Sequence, residues 1–180
     1  FRQITTNTPV VEPSDLKGVV IRTPSNSLRV KTFEAFGATP ISISFSELYQ
    51  SLSQHICDAQ ENPLATIVSS QFYDYQSCLC ISNHVYTPGW ICMNLDLYNS
   101  LSDAQRAVID EAGALTSAHV LEAGAKADEE NLQVCKDKGM QVTYADVEEF
   151  RNVVLPLWDK FADSVGGIDF VNAAKAALGY

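Results

Sequence analysis

Between Val19 and Ile56 the chain alternates strand-like and helix-like segments, and most junctions carry a proline, a glycine or a capping residue. Val19-Val20-Ile21-Arg22 is a compact β-branched run stopped by Pro24. A helix is expected from Ser27 to Phe36, with Leu28, Val30, Phe33 and Phe36 apolar and Gly37 placed as a C-terminal cap. Pro40 to Ile43 reads as a second strand. Ser44 and Glu47 then match a capping box, and Leu48, Leu52 and Ile56 recur at helical spacing behind it. Short strands alternating with helices predict an α/β fold, a mixed sheet flanked by helices.

The remainder continues this alternation. Phe1 to Thr8 reads as a short strand and loop, and Ser14 to Gly18 as a turn. Asp58 to Asn62 reads as a polar segment between two helices, with Asn62 as the N-cap and Pro63 as the first residue of a helix reaching about Tyr75. Two helix starts beside the aromatic Phe45 suggest a cleft wall suited to an anion. Strands are expected at 77–86, at 89–94 and at 140–144. Ser102 and Gln105 form another capping box, opening a run without proline as far as Gly139. Unbroken from 103 to 138, that helix would be about 54 Å long, enough to bridge two lobes; Gly124 is where a break would fall. A helix from Asp146, kinked or interrupted at Pro156, a Gly166-Gly167 linker and a closing helix from Phe170 to Leu178 complete the chain.

Composition narrows the function. With 180 residues, 46% of them hydrophobic, the chain can bury a substantial core, and no apolar run is long enough to span a membrane. A formal charge of −10 and the lack of clustered Lys and Arg argue against nucleic acid and anionic membrane surfaces. A small anionic ligand stays open, since one well-placed arginine outweighs net charge at close range. Cys57, Cys78, Cys80, Cys92 and Cys135 have neither C-x-x-C nor regular spacing and read as small core residues; spacing alone leaves any disulfide pairing open.

Arg22 ends a strand just before Pro24, where strand C-termini of open α/β sheets meet ligands, and its planar fork matches a carboxylate. From the residues alone, a ligand role stands beside a surface or salt-bridge role. His55, Cys57 and Asp58 can be imagined as a thiol–imidazole–carboxylate set, but neighbours at i and i+2 on a helix face apart. Cys78, Cys80 and His84 lack structural-zinc spacing. No catalytic residue, metal ligand or cofactor site is therefore expected.

Several segments in one order carry a resemblance. They are Arg2-Gln3-Ile4-Thr5-Thr6-Asn7, Asp15-Leu16-Lys17-Gly18, Ile21-Arg22-Thr23-Pro24, Phe45-Ser46-Glu47-Leu48-Tyr49, Asp58-Ala59-Gln60-Glu61-Asn62-Pro63-Leu64, Tyr73-Asp74-Tyr75-Gln76 and Asn83-His84. Leu101-Ser102 before the long helix and Gly139 before a strand fit as well. Together they resemble the substrate-binding (P) subunits of tripartite ATP-independent periplasmic (TRAP) transporters, the DctP-like group. The chain departs from that pattern at Ala59, where glycine is usual, and in corresponding to only the C-terminal part of the family's longer chains.

The resemblance implies a non-enzymatic, extracytoplasmic protein, made with a signal peptide, that closes two lobes over a small organic acid. It would deliver the acid to the membrane subunits of a TRAP transporter. Residues 1–87 with 128–180 would form one nearly complete lobe, and 88–127 a remnant of the other, including the start of a long bridging helix. Arg22 falls on the family's carboxylate-clamping arginine, Arg2 on a second ligand-contacting arginine, and Asn62, Phe45 and Ser25 on further contacting positions. His84 is expected to be structural, and Asp58 and Glu61 to be hydrogen-bonding supports. With one wall mostly absent, the chain by itself is expected to bind its acid weakly and to expose apolar surface suited to self-association. The alternatives are a lobe acting mainly as a protein-interaction or sensor module, or a Cys-dependent enzyme.

Overall fold

The computed structural model describes residues 1–180. Six strands form one mixed sheet: β1 (Arg2–Thr6), β2 (Val20–Thr23), β3 (Thr39–Ser42), β4 (Ala59–Pro63), β5 (Cys78–Val85) and β6 (Gln141–Tyr144), in the order β3-β2-β4-β1-β5-β6. β2 runs parallel to β3 and β4, and β5 parallel to β6; β1 is antiparallel to both its neighbours, β4 and β5. Five strands therefore end on the same edge of the sheet, and β1 begins there.

Side chains alternate across the strands, so each face carries its own core. On one face Ile4, Ile21, Ala59 and Cys80 meet Phe33 and Phe36, at and just after α1 (Ser27–Ala35), and Phe150 from α6 (Val147–Lys160). On the other, Leu79 meets Leu48 and Leu52 from α2 (Phe45–Ser53) and Leu64 and Ile67 from α3 (Leu64–Ser69). Phe72, Met140 and Cys135 complete that second cluster, Cys135 near the C-terminal end of α5 (Asp103–Asp137). A short helix α4 (Leu95–Ser100) precedes α5, and α7 (Ile168–Ala177) closes the chain.

The α/β expectation holds, with Gly37 in the left-handed conformation (φ +88°) after α1 and the Ser102–Gln105 capping box formed. Five local expectations are corrected. The stretch from Asp58 to Asn62 is not a turn between helices: residues 59–63 form a central strand. Asn62 accordingly caps no helix, and α3 begins at Leu64. That helix stops at Ser69, ahead of Gln71 in the left-handed region (φ +54°), and a 3₁₀ turn at Phe72–Asp74 follows. Residues 89–94 are not a strand; Trp90 and Ile91 are exposed, and β3 and β6 close the sheet without them. At Ser44 the reciprocal capping box is replaced by a side-chain bond, its hydroxyl donating to Glu47 Oε2 at 2.6 Å.

The long helices are continuous. α5 is 35 residues long, about 52 Å at the usual rise, and is unbroken at Gly124; α6 runs through Pro156. Only the C-terminal end of α5 is packed on the sheet, through Leu132 and Cys135. Val108, Leu115, Val120 and Leu121 further up the helix are exposed.

Candidate functional site: an arginine-rich sheet edge

Arg22 stands near the end of β2, opposite Ile41 on one neighbouring strand and Gln60 on the other. Its residue is 4% exposed. Nε donates to the Ile43 carbonyl at 2.8 Å, and no protein group accepts from the two Nη atoms. Burial pulls the guanidinium pKa below its ordinary value; the Glu61 charge works against this, while the Arg2 and Arg29 charges reinforce it. A desolvated cation with two free donor groups and no direct counter-ion is the most demanding feature of this edge.

Asn62 is held in place by a line of polar side chains across the sheet. Arg2 Nη2 donates to Asn62 Oδ1 at 2.9 Å, and Asn62 Nδ2 donates to Gln60 Oε1 at 2.6 Å. Gln60 Nε2 donates to Thr5 Oγ1, Thr5 Oγ1 to Gln76 Oε1, and Gln76 Nε2 to the Asp58 carbonyl. The line leaves one Asn62 amide N–H uncommitted. Its orientation is set before anything binds.

The charged centre beside it is Glu61, fully buried on the opposite face of β4. Arg2 donates from Nε to Oε2 at 2.5 Å and from Nη2 to Oε1 at 3.0 Å and to the Glu61 carbonyl at 2.7 Å. Arg29 Nη1 lies 2.8 Å from both carboxylate oxygens. His84 Nε2 approaches Oε2 at 3.2 Å, and its Nδ1 meets the Ser82 hydroxyl at 2.7 Å. Because a carboxylate only accepts, Nε2 carries the proton and neutral His84 takes the Ser82 hydrogen on Nδ1.

His84 reaches Glu61 because β5 bulges. Between the pairs Ile4–Cys80 and Arg2–Val85, β1 advances by two residues and β5 by five. Gln3 fills the bulge: Oε1 accepts from the Ser82 and Asn83 amides, and Nε2 donates to Asn83 Oδ1. Asn83 adopts φ +46°, a conformation asparagine tolerates better than most residues.

Burial disfavours the Glu61 carboxylate, but hydrogen bonds from His84 and Arg2 and the Arg29 charge more than offset it, and its pKa is lowered. Burial also lowers the His84 pKa, outweighing the Glu61 bond that favours imidazolium. Both groups bind protons less readily folded than unfolded, so both contribute stability that is lost as pH falls. Urea unfolding should show stability dropping once pH passes below the ordinary histidine value of 6.5 and again below the ordinary glutamate value of 4.5. Unfolding midpoints that stayed level across both ranges would contradict this assignment.

The structure thus brings Arg2 and Asn62 into one hydrogen-bonded group, with Arg22 on the neighbouring strand β2 at the same sheet edge. Phe45, at the start of α2, is half exposed and sets its ring against Phe72 at 6.4 Å. Ser25 is exposed in the turn between β2 and α1. Asp58 supports the neighbouring strand, its Oδ2 accepting from the Val20 amide. Sequence reasoning missed Arg29. An arginine in the first turn of a helix opposes the helix dipole, and that conflict was the available signal of a specific anionic partner.

A cavity of about 550 Å³ lies off this edge, between α1, the end of β5, α6 and α7. Leu28, Phe36, Phe150, Trp158 and Phe170 make it largely apolar, with Arg29 and His84 in its wall. All five thiols are free, four of them buried, and burial pushes the Cys57 thiol up to about 11. Cys57 is therefore an un-ionised core thiol at neutral pH. No group of His, Cys, Asp and Glu side chains is arranged to hold a metal ion.

Arg22 near the end of β2 and Arg2 at the start of β1 thus stand at one edge of a mixed α/β sheet, and of the two only Arg22 lacks a carboxylate partner. The description "bacterial extracellular solute-binding protein, family 7" (DctP) matches residues 1–164, and the chain belongs to that family. It is 30% identical over 165 residues to the sialic acid-binding periplasmic protein SiaP of Vibrio cholerae, covering 92% of this chain and 51% of that one. A TRAP periplasmic solute-binding protein from Ochrobactrum anthropi superposes with TM-score 0.90 at 32% identity, over 99% of this chain and 57% of its own. Another from Shewanella oneidensis, with bound succinate, gives 0.82 at 33%, over 98% and 59%. The chain spans about half the length of the curated relatives it matches. The family is one of solute-binding proteins, not enzymes.

Proposed function

We propose that this chain carries one wall of a TRAP-type solute-binding site, in a protein that captures a small organic acid outside the cytoplasm and delivers it to the transporter's membrane subunits. The observation that carries the reading is Arg22, a buried guanidinium with both Nη groups unpaired at the C-terminal edge of the sheet. A carboxylate is the planar anion that matches that fork bidentately. Family membership and the succinate in the Shewanella oneidensis relative support the same ligand class. The periplasmic naming of the relatives supports the location.

In this reading Arg22 pairs with the carboxylate and Asn62 offers its remaining amide N–H. Arg2 acts through Asn62, fixing its orientation, while Phe45 supplies an apolar wall and Ser25 a polar one at the mouth. Residues 1–87 with 128–180 make up this lobe, and 88–127 belong to its counterpart. In support, every strand comes from the first set, whereas Trp90, Ile91, Leu115 and Leu121 in the second are exposed. Closure of the two lobes excludes water and strengthens the ion pair. Those exposed apolar side chains are also the surface through which copies of this chain would associate.

The test is a thermal-shift screen of the two-lobed parent protein against mono- and dicarboxylates, aldonates and sialic acid, with uncharged amides of the same shapes as controls. Binding at a concentration near a hundred times Kd stabilises a protein by about 2.7 kcal/mol. At least one acid should raise the melting temperature while its amide does not. Equal shifts from acid and amide, or none from any acid, would remove the carboxylate reading, and turnover of any of them would favour an enzyme instead.

A further inference from the structure

We infer that Arg29 is a positioning residue of this edge: it saturates the buried Glu61 carboxylate, which keeps His84 a neutral donor and leaves Arg22 as the cation free to meet an anion. The inference rests on the carboxylate reading above for its functional meaning, but not for its test.

Arg29 is the third residue of α1, where a cation faces the positive end of the helix dipole. Its backbone is fixed there by the Asn26 cap, whose Oδ1 accepts the Arg29 amide at 2.9 Å. From that position Nη1 contacts both oxygens of Glu61 at 2.8 Å. Arg2 occupies both oxygens too, at 2.5 and 3.0 Å. With roughly four acceptor sites on a carboxylate, the arginines take most of the capacity, and His84, at 3.2 Å, holds the longest of these contacts. One buried negative charge is thus matched by two guanidinium groups before His84 is counted.

Every charged group facing His84 fits this division. β4 presents Glu61; β1 presents Arg2; α1 presents Arg29 and the Phe33 ring, 5.4 Å away. The imidazole's own strand contributes the Ser82 hydroxyl. Across the cavity α6 presents Phe150 and Arg151, the latter paired with Glu148 at 2.7 Å. Arg29 and Arg2 both oppose a charge on His84, and only Glu61 favours one. Without Arg29, Glu61 keeps a single guanidinium, and the adjacent imidazole becomes the group able to supply the second positive charge. The sheet edge would then change charge in the range where histidine titrates, whereas with Arg29 in place it does not.

The experiment is a pH titration of the three histidine rings by ¹H–¹⁵N spectroscopy in the 180-residue chain, without any acid added. In the parent, His84 should remain the neutral Nε2–H tautomer through the range in which free histidine titrates. In Arg29→Gln its midpoint should move upward into that range, with a parent-like backbone amide spectrum as the control of fold. Arg29→Lys, which keeps the charge and is the safer variant for folding, should leave His84 neutral. An unchanged His84 curve in Arg29→Gln, or a His84 that charges in Arg29→Lys as readily as free histidine, would overturn the inference. Because no acid is present, these outcomes are separate from success or failure of the carboxylate screen.

Discussion

Replacing Arg22 by alanine should abolish the melting shift produced by the stabilising acid while leaving the ligand-free protein at least as stable as the parent. The two halves of this prediction have one cause. Arg22 is nearly inaccessible to solvent, its only protein bond is from Nε to the Ile43 carbonyl, and no carboxylate touches it. Burial already works against its charge. Removing it therefore gives up one hydrogen bond and relieves an uncompensated desolvation cost. Losing one partner of a desolvated charge pair in a complex costs about 2–5 kcal/mol, so affinity should fall by roughly thirtyfold to a few thousandfold. Arg22→Lys should recover little of it, because an ammonium keeps the charge without the fork. A ligand-free protein that melted far lower, with its acid response intact, would mark Arg22 as structural.

Glu61→Ala should do the reverse, with its main effect on the fold. Glu61 is fully buried between two arginines and a histidine, and its removal leaves two guanidinium groups facing each other. Breaking a buried pair by deleting one partner costs about 3–5 kcal/mol. The side chains of Arg2 and Arg29 are 13% and 16% exposed and can turn partly to water, which favours the lower end. For a chain of this size about 3 kcal/mol corresponds to a fall in melting temperature of about 6–12 °C. Chemical denaturation of the variant beside the parent measures it, and a loss under about 1 kcal/mol would show that the cluster is not the anchor described.

Arg22 and Glu61 also mark what could be read in the sequence and what could not. Val20 to Thr23 is a strand on local grounds alone: β-branched residues ending before a proline. Its terminal arginine is placed by that fact at the sheet edge. The stretch from Ala59 to Pro63 has the opposite character. Its polar residues look like a turn, yet they form a strand beside β1 and β2, because the partners that satisfy them are far away in the chain. Glu61 is met by Arg2 and His84, 59 and 23 residues distant, and Gln60 by Thr5, 55 residues distant. No local pattern contains those partners. The family resemblance marks Asn62 as a ligand-contacting position, which stands as a proposal, while the capping argument for the same residue is overturned by its place in β4.

Residues 89–94 show the converse error. Trp90, Ile91 and Met93 have strand-like composition, but a strand also needs a paired neighbour, and these exposed residues pair with no strand, β3 and β6 remaining the sheet's edges. Arg29 was passed over because a lone arginine on an amphipathic helix is ordinarily solvated. Only its conflict with the helix dipole, beside a glutamate that no local partner neutralised, distinguished it.

The central claim is that Arg22 is the group that meets the ligand's carboxylate. The most direct measurement is a crystal structure of the two-lobed parent protein with the stabilising acid from the screen, succinate being the first to try. The account predicts one carboxylate within hydrogen-bond distance of both Arg22 Nη atoms, an Asn62 amide N–H turned toward the same acid, and the Arg2–Glu61–Arg29 contacts unchanged. An acid seated in the apolar cavity beside α6, or bound to Arg2 or Arg29 in place of Glu61 with Arg22 untouched, would contradict it.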